Sequence, residues 1–224
     1  MNIIVFGGTG FFGKAFVSKL KKQNDINIDT IVRKQSDRNL ASQYFLYEDV
    51  EALIKKDITY DLAIDFASHV SVDDFLADPQ EAFLNNLKIP IKNLKFLNNL
   101  CFEGNYIYVS TDRAILDIGN EDSIVNVKIS NDPYGASKLV GEIIVRYCSS
   151  LREGSSTIAR FPNIYGPGQT SRQLIPMIAD KLNRGDHVIE LASLSGERNY
   201  LFISDAVSAL IKLVTRSSNK SEVC

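Results

Sequence analysis

The segment NIIVFGGTGFFGK, residues 2–14, joins a short apolar run to a cluster of glycines. Asn2–Phe6 is too short for a buried helix and too apolar for a loop, so it reads as a strand covered on both faces. Gly7, Gly10 and Gly13 fit a GxxGxxG spacing, and Gly8, Gly10 and Gly13 fit GxGxxG. Glycines allow a tight turn and let the backbone approach a pyrophosphate closely. A helix opening near Phe11 and Phe12 would add N–H donors and the positive end of its dipole. A plain glycine-rich turn between strand and helix is the simpler reading. The position directly after a strand and before a helix favours a dinucleotide site instead.

Outward from that segment the same alternation repeats. Strands are expected at DTIVR (29–33), QYFLY (43–47), DLAIDFA (61–67), YIYVS (106–110) and STIARF (156–161). Helical patterns fall near 11–22, 49–56, 79–100, 133–150, 171–184 and 204–216, and VIEL (188–191) is a short apolar run. Strand–helix alternation with apolar strands implies an α/β fold, a Rossmann-type doubly wound parallel sheet. Residues 112–131 show no clear periodicity and read as a polar loop. The second strand ends at Arg33 and Lys34, where an adenosine ribose would lie. Two cations suit a 2′-phosphate, so NADP is favoured over NAD, against a solvated surface pair as the alternative.

Composition narrows the classes. The 224 residues are 45% hydrophobic and 23% charged, with a net charge of −2. That is ordinary for a globular protein and offers no basic field for nucleic acid or an anionic membrane. Cys101, Cys148 and Cys224 are odd in number, far apart and form no CxxC pair. They argue against a disulfide framework and fit a reducing, cytoplasmic setting. With two histidines, no metal site is expected. The N-terminus is not a signal peptide, and no apolar run is long enough to span a membrane.

Two further segments carry chemistry. YIYVSTDRAIL (106–116) begins as a strand and stops in Ser110, Thr111 and Asp112. Those residue types suit caps and turns, but they also deliver a hydroxyl to a strand end. NDPYGASKLVGE (131–142) puts Tyr134 and Lys138 four apart, on one helix face. An ammonium there would stabilise tyrosinate and lower the phenol pKa, letting it exchange a proton at a carbinol or carbonyl. Thr111 or Ser110 could share that hydrogen bond.

Read together, these segments resemble the extended short-chain dehydrogenase/reductases, in the NAD(P)-dependent nucleotide-sugar epimerase/dehydratase family. The likeness runs in order along nearly the whole chain. GGTGFFG is similar to the family's glycine loop, and Asp49-Val50 to the pair lining the adenine pocket. DFASHVSV (65–72), with Phe66 and Ala67, resembles the turn beside the cofactor. DPQEAFLNNL (78–87) resembles the segment whose Asn supports the active site. VSTD and YGASK resemble the strand end and the Tyr–Lys pair. ARFPNIYGPGQ (159–169), which includes Phe161, and GERNYLFISDAVSAL (196–210) resemble segments that position nicotinamide and nucleotide sugar.

The resemblance implies roles. Tyr134 is the acid/base, Lys138 its partner and a nicotinamide-ribose ligand, and Thr111 the neighbouring hydroxyl. Gly7, Gly10, Phe11, Phe12, Gly13, Arg33, Asp49, Val50, Phe66, Ala67 and Phe161 line the cofactor. Ser110, Asp112, Asn86, Asn163 and Arg198 belong to the substrate side.

The reaction is open between a 4-epimerase, a 4-keto reductase and a 4,6-dehydratase. In retaining dehydratases the strand end reads Ser-Thr-Asp-Glu, with Glu as base. Here Arg113 stands in that place, and arginine is no base at neutral pH. YGPGQ and GERNYLFISD resemble epimerases most, which puts epimerisation first. The NADP preference leans towards reduction.

The expected division is a Rossmann domain at 1–165, a partial substrate-binding region at 166–200, and a returning helix with the start of a strand at 201–224. SEVC (221–224) resembles the beginning of a strand that continues in longer relatives, so a fragment or a non-catalytic NADP sensor is the alternative. The helices at 79–100 and 133–150 resemble those of a dimeric four-helix bundle, and a homodimer is possible. Leu139, Ile143, Ile144 and Tyr147 could face either the core or a second copy.

Overall fold

The structure is a computed structural model describing residues 1–33, 43–68, 75, 77–121, 124–129, 132–170, 173–191, 197–215 and 222–223. Lys34, Gly196 and the outer residues of SEVC, expected to matter above, lie outside the described residues. The strands are β1 Asn2–Phe6, β2 Asn27–Val32, β3 Gln43–Leu46, β4 Leu62–Asp65, β5 Asn105–Thr111, β6 Leu116–Glu121, β7 Ile124–Ile129, β8 Ser156–Phe161, β9 Asn163–Tyr165, β10 Tyr200–Phe202 and β11 Glu222–Val223. The α-helices are α1 Phe11–Leu20, α2 Val50–Ile54, α3 Pro79–Asn99, α4 Pro133–Ser150, α5 Leu174–Asn183 and α6 Ile203–Thr215.

Seven parallel strands form one sheet in the order β11-β8-β5-β4-β1-β2-β3. The chain winds outward from β1 in both directions, so the strand order reverses beside it. In such sheets the crevice at that reversal, at the carboxyl ends of the strands, is where a ligand fits. Gly7 begins there. β1 shows why its run is apolar throughout. Ile3 and Val5 pack with Phe16, Val17 and Leu20 of α1 and with Ala206, Val207 and Leu210 of α6. Ile4 and Phe6 face the other way, into Leu53 of α2, Leu94 and Leu97 of α3, and Val145 of α4. Each buried Val, Leu, Ile or Phe among them stabilises the fold by about 1.5–3 kcal/mol.

The 112–131 segment corrects the loop reading. β6 and β7 pair antiparallel, with Leu116 opposite Ile129, Ile118 opposite Val127 and Asn120 opposite Val125. The strand signal is a period of two, Leu116–Ile118 and Val125–Val127–Ile129, diluted by Asp117, Gly119, Asn120 and Glu121. A second small sheet pairs β9 with β10 in parallel.

α3 and α4 begin alike. Asp78 accepts from Glu81 N at 3.0 Å and Asp132 from Tyr134 N and Gly135 N, each followed by proline at the first helical position. The two helices pack against each other and divide the residues left open above. Leu139 is buried and Ile144 packs on the core. Ile143 and Tyr147 stay exposed, alongside Leu84 and Ile91 of α3.

Candidate active site

Gly7 leaves β1 with φ +71°, and a Cβ there would lie 2.7 Å from Ala67 N. Only glycine both adopts that conformation and admits the neighbouring turn. A Cβ on Gly13 would lie 2.4 Å from the Gly7 carbonyl oxygen. The turn is therefore folded tightly on itself and on the end of β4. Gly10 is the N-cap of α1, which has no side-chain cap and no acid in its first turn. Its first N–H groups are left for another acceptor, which fits a pyrophosphate.

Gly7, Gly10, Phe11, Phe12 and Gly13 line a cavity of about 530 Å³ with Phe66, Ser110, Thr111, Tyr134, Lys138, Phe161 and Asn163. Phe12 meets the rings of Phe66 and Phe161 edge-on, each at 5.0 Å, in an aromatic cluster on the cavity wall. Ala67 lies just behind that wall, its N–H donating to Asp65 Oδ1 at 2.8 Å. Asp49 and Val50 are not on the cavity wall: Asp49 accepts from Leu46 N at 2.7 Å, and Val50 opens α2 and packs on the core. Arg33 is exposed at the end of β2.

Thr111 serves both readings of its strand end. Its hydroxyl accepts from Arg113 N and donates to Asp112 Oδ1, both at 3.3 Å, and it also lines the cavity. Ser110 donates to Glu142 Oε1 at 2.6 Å. Glu142 is itself held by Arg160, with Nε at 2.9 Å and Nη2 at 2.6 Å. A buried carboxylate thus ties α4 to the ends of β5 and β8. Asn86 is buried and donates to Ser137 Oγ at 2.9 Å, with Ser68 Oγ 3.4 Å from its carbonyl oxygen. Asn163 faces the cavity and donates to Asn199 O at 3.3 Å. Arg198 is not brought to the cavity wall. It is exposed and donates to the neighbouring Glu197 carbonyl at 2.9 Å.

The electrostatics correct one expectation. The Tyr134 phenol lies above its ordinary pKa, not below it. Burial is the largest cause, and Asp132 and Asp112 add to it, while a Ser68 hydrogen bond and the Arg113 charge oppose it. The larger influences come from these groups rather than from Lys138. It is itself buried, which pulls its ammonium down to about 8 against the raising influence of Asp65 and Glu142. Its Nζ sits 3.9 Å from the centre of the Tyr108 ring. Desolvation of the phenol outweighs the Arg113 cation and the Ser68 hydrogen bond that lower it.

Residue-by-residue reasoning also passed over a buried network behind the site. Asp65 is fully buried and accepts from Tyr106 Oη at 2.6 Å and Asn93 Nδ2 at 2.8 Å. Asn93 accepts in turn from Tyr47 Oη at 2.5 Å. A carboxylate inside DLAIDFA was the available signal, because an acid in a fully buried strand requires partners. Ser68, Phe75 and Asp132 on the cavity wall were missed as well. Asp132 was legible as a cap before Pro133.

A doubly wound sheet with a glycine cradle at its reversal point, and Thr, Tyr and Lys on the same cavity, defines a dinucleotide-dependent class of site. The family model of the NAD dependent epimerase/dehydratase family matches residues 3–223, and the chain belongs to that family. CDP-abequose synthase of Salmonella typhimurium is 24% identical over 225 residues, covering 99% of this chain and 71% of that protein. The dTDP-4-dehydro-6-deoxyglucose reductase of Escherichia coli is 25% identical over 237 residues, covering 94% of this chain and 71% of that protein. Among solved structures, the UDP-glucose 4-epimerase of Thermotoga maritima with UDP-glucose superposes with a TM-score of 0.78 at 21% identity. That alignment covers all of this chain and 76% of the epimerase, and at this identity it bears on the fold alone. No helix among the described residues is long and apolar enough to cross a membrane.

Proposed function

We propose that the chain catalyses NAD(P)-dependent oxidoreduction at a carbinol or keto carbon of a nucleotide-linked sugar, with epimerisation as its outcome. The carrying observation is the shared cavity of Thr111, Tyr134 and Lys138 with the glycine turn. A bound nicotinamide would supply or accept the hydride. Tyr134 would exchange the proton on the sugar oxygen, and Thr111 would hold that oxygen by a hydrogen bond. Lys138 would hold the ribose. Gly7, Gly10 and the first turn of α1 would take the pyrophosphate, and Asp49 and Val50 would face the adenine. Asn163 and residues 166–200, with Gln169, Gln173 and Leu174 on the cavity wall, would form the substrate side.

Elimination of water is disfavoured by the acids available. Asp132 is the carboxylate among the described cavity residues, and two N–H groups and Arg113 hold it. It is poorly placed to act as a free base. A second reading, NADPH-dependent reduction of a nucleotide 4-keto-sugar, is favoured by Arg33 at the end of β2, which suits a 2′-phosphate. Replacing it, Arg33→Ala, should weaken NADPH binding about tenfold and leave NADH binding unchanged in calorimetric titration. Equal effects on both cofactors would remove the NADP preference. We place the protein in the cytoplasm, and propose that the outer faces of α3 and α4 pair in a homodimer.

The test is proton NMR of the purified chain with cofactor and a panel of nucleotide sugars. Conversion of a nucleotide hexose to its epimer without net cofactor use supports epimerisation. Stoichiometric NADPH consumption with a 4-keto-sugar supports reduction. Cofactor binding with neither reaction would leave a cofactor-binding module and sink both.

A further inference from the structure

Arg113 follows β5 on the turn after Thr111. Its Nη2 lies 2.5 Å from Asp132 Oδ2. Its guanidinium carbon lies 5.5 Å from the centre of the Tyr134 ring. Asp132 is the cap of α4 and accepts from the backbone N–H of Tyr134 and Gly135. The Arg113 carbonyl presses on the same helix start, since a Cβ on Gly135 would come within 2.4 Å of it. Arg113, Asp132 and Tyr134 all line the cavity. Charge and backbone contact therefore lock the end of β5 to the first turn of α4, at the phenol.

Among the described residues, the charged and hydrogen-bonding groups at Tyr134 come from several elements. Asp112 and Arg113 come from the end of β5, Tyr108 from within it, Ser68 from beyond β4, and Asp132 from the cap of α4. Lys138, on the same helix, is engaged over the Tyr108 ring and with Asp65 and Glu142. Among these, Arg113 is the cation that opposes the two acids at the phenol. An arginine can do this while paired, because its planar head offers one edge to a carboxylate and a face to a ring.

We propose that Arg113 is the positioning residue of Tyr134: anchored on Asp132, its guanidinium steadies the ring against the cavity wall and presents the positive charge that a phenolate there would face. This deepens the reading of Tyr134 as acid/base and rests on it. A strand-end arginine thus joins the helix lysine at this tyrosine, with Lys138 beside the buried Asp65 and Glu142.

The test reads the phenol directly and needs no turnover. Tyr134 is replaced site-specifically by 3,5-difluorotyrosine, whose phenol ionises in the neutral range, and the ¹⁹F resonance is titrated in the full chain. The comparison is with Arg113→Met, Arg113→Gln and Arg113→Lys in the same background. The titration midpoint should rise by about one pH unit in the Met and Gln variants. Arg113→Lys should show at most about half of that rise, because the charge returns without the planar head. If Arg113→Met does not fold, Arg113→Gln carries the comparison. Midpoints within about 0.2 unit of the parent in the neutral variants would overturn the proposal. A moved midpoint in a chain that turns over no nucleotide sugar would leave this inference standing and sink the proposed function. An unmoved midpoint in an active enzyme would do the reverse.

Discussion

The phenol of Tyr134 is held by opposed influences, and its neighbours differ from those the sequence suggests. A tyrosine four residues before a lysine was legible as a pair, because the spacing alone sets them on one helix face. The lysine's actual engagement was not legible. It depends on Asp65 and Glu142, one on a different element and both buried. Tyr134→Phe should reduce turnover by at least about a hundredfold while cofactor affinity is kept. Parallel activity assays and calorimetry check this, and loss of cofactor affinity would reassign the residue. Lys138 gives a pH prediction. Its folded pKa, about 8, lies below the ordinary 10.5, so the unfolded chain binds more protons between those values. Stability from this group therefore rises with pH from 8 to 10.5. Relative to Lys138→Met, the wild type should gain up to about 3 kcal/mol across that window in urea unfolding. Parallel profiles would show that Lys138 is not buried as a cation. The tyrosines raised by burial act oppositely above pH 10, but they are common to both proteins.

The elements nearest β1 were the most legible. Their apolar runs and the glycine turn are local signals, and the parallel sheet follows from alternation. The β6–β7 pair was not, since polar residues interrupt its period of two and neither strand shows the pairing by itself. The link between α4 and the strand ends was also hidden, because Glu142, Ser110 and Arg160 are far apart in sequence. Glu142→Ala leaves Arg160 and Ser110 without that partner and should cost about 3 kcal/mol in denaturant unfolding. A cost below about 0.5 kcal/mol would mean that solvent replaces the pair. Gly13→Ala forces a methyl group against the Gly7 carbonyl. It should destabilise the fold by about 1–3 kcal/mol and lower cofactor affinity. Unchanged affinity would remove the turn from the cofactor site.

At the scale of the whole molecule, the proposed chemistry and the proposed association involve different residues. The cavity opens at the carboxyl ends of the strands, while Leu84, Ile91, Ile143 and Tyr147 form an exposed apolar face on α3 and α4. If that face pairs two copies, Ile143→Glu with Tyr147→Glu should convert a dimer to a monomer in sedimentation equilibrium. An unchanged mass would place any contact elsewhere. The central claim, hydride transfer with Tyr134 as the proton donor or acceptor, has its most direct test at 340 nm. The chain loaded with NADPH or NADH is mixed with a nucleotide 4-keto-sugar, and the absorbance is followed through one turnover. The account predicts loss of the reduced-nicotinamide band in the wild type, slowed at least about a hundredfold in Tyr134→Phe. A loaded wild type that keeps its absorbance, or a Tyr134→Phe chain that loses it equally fast, would contradict the account.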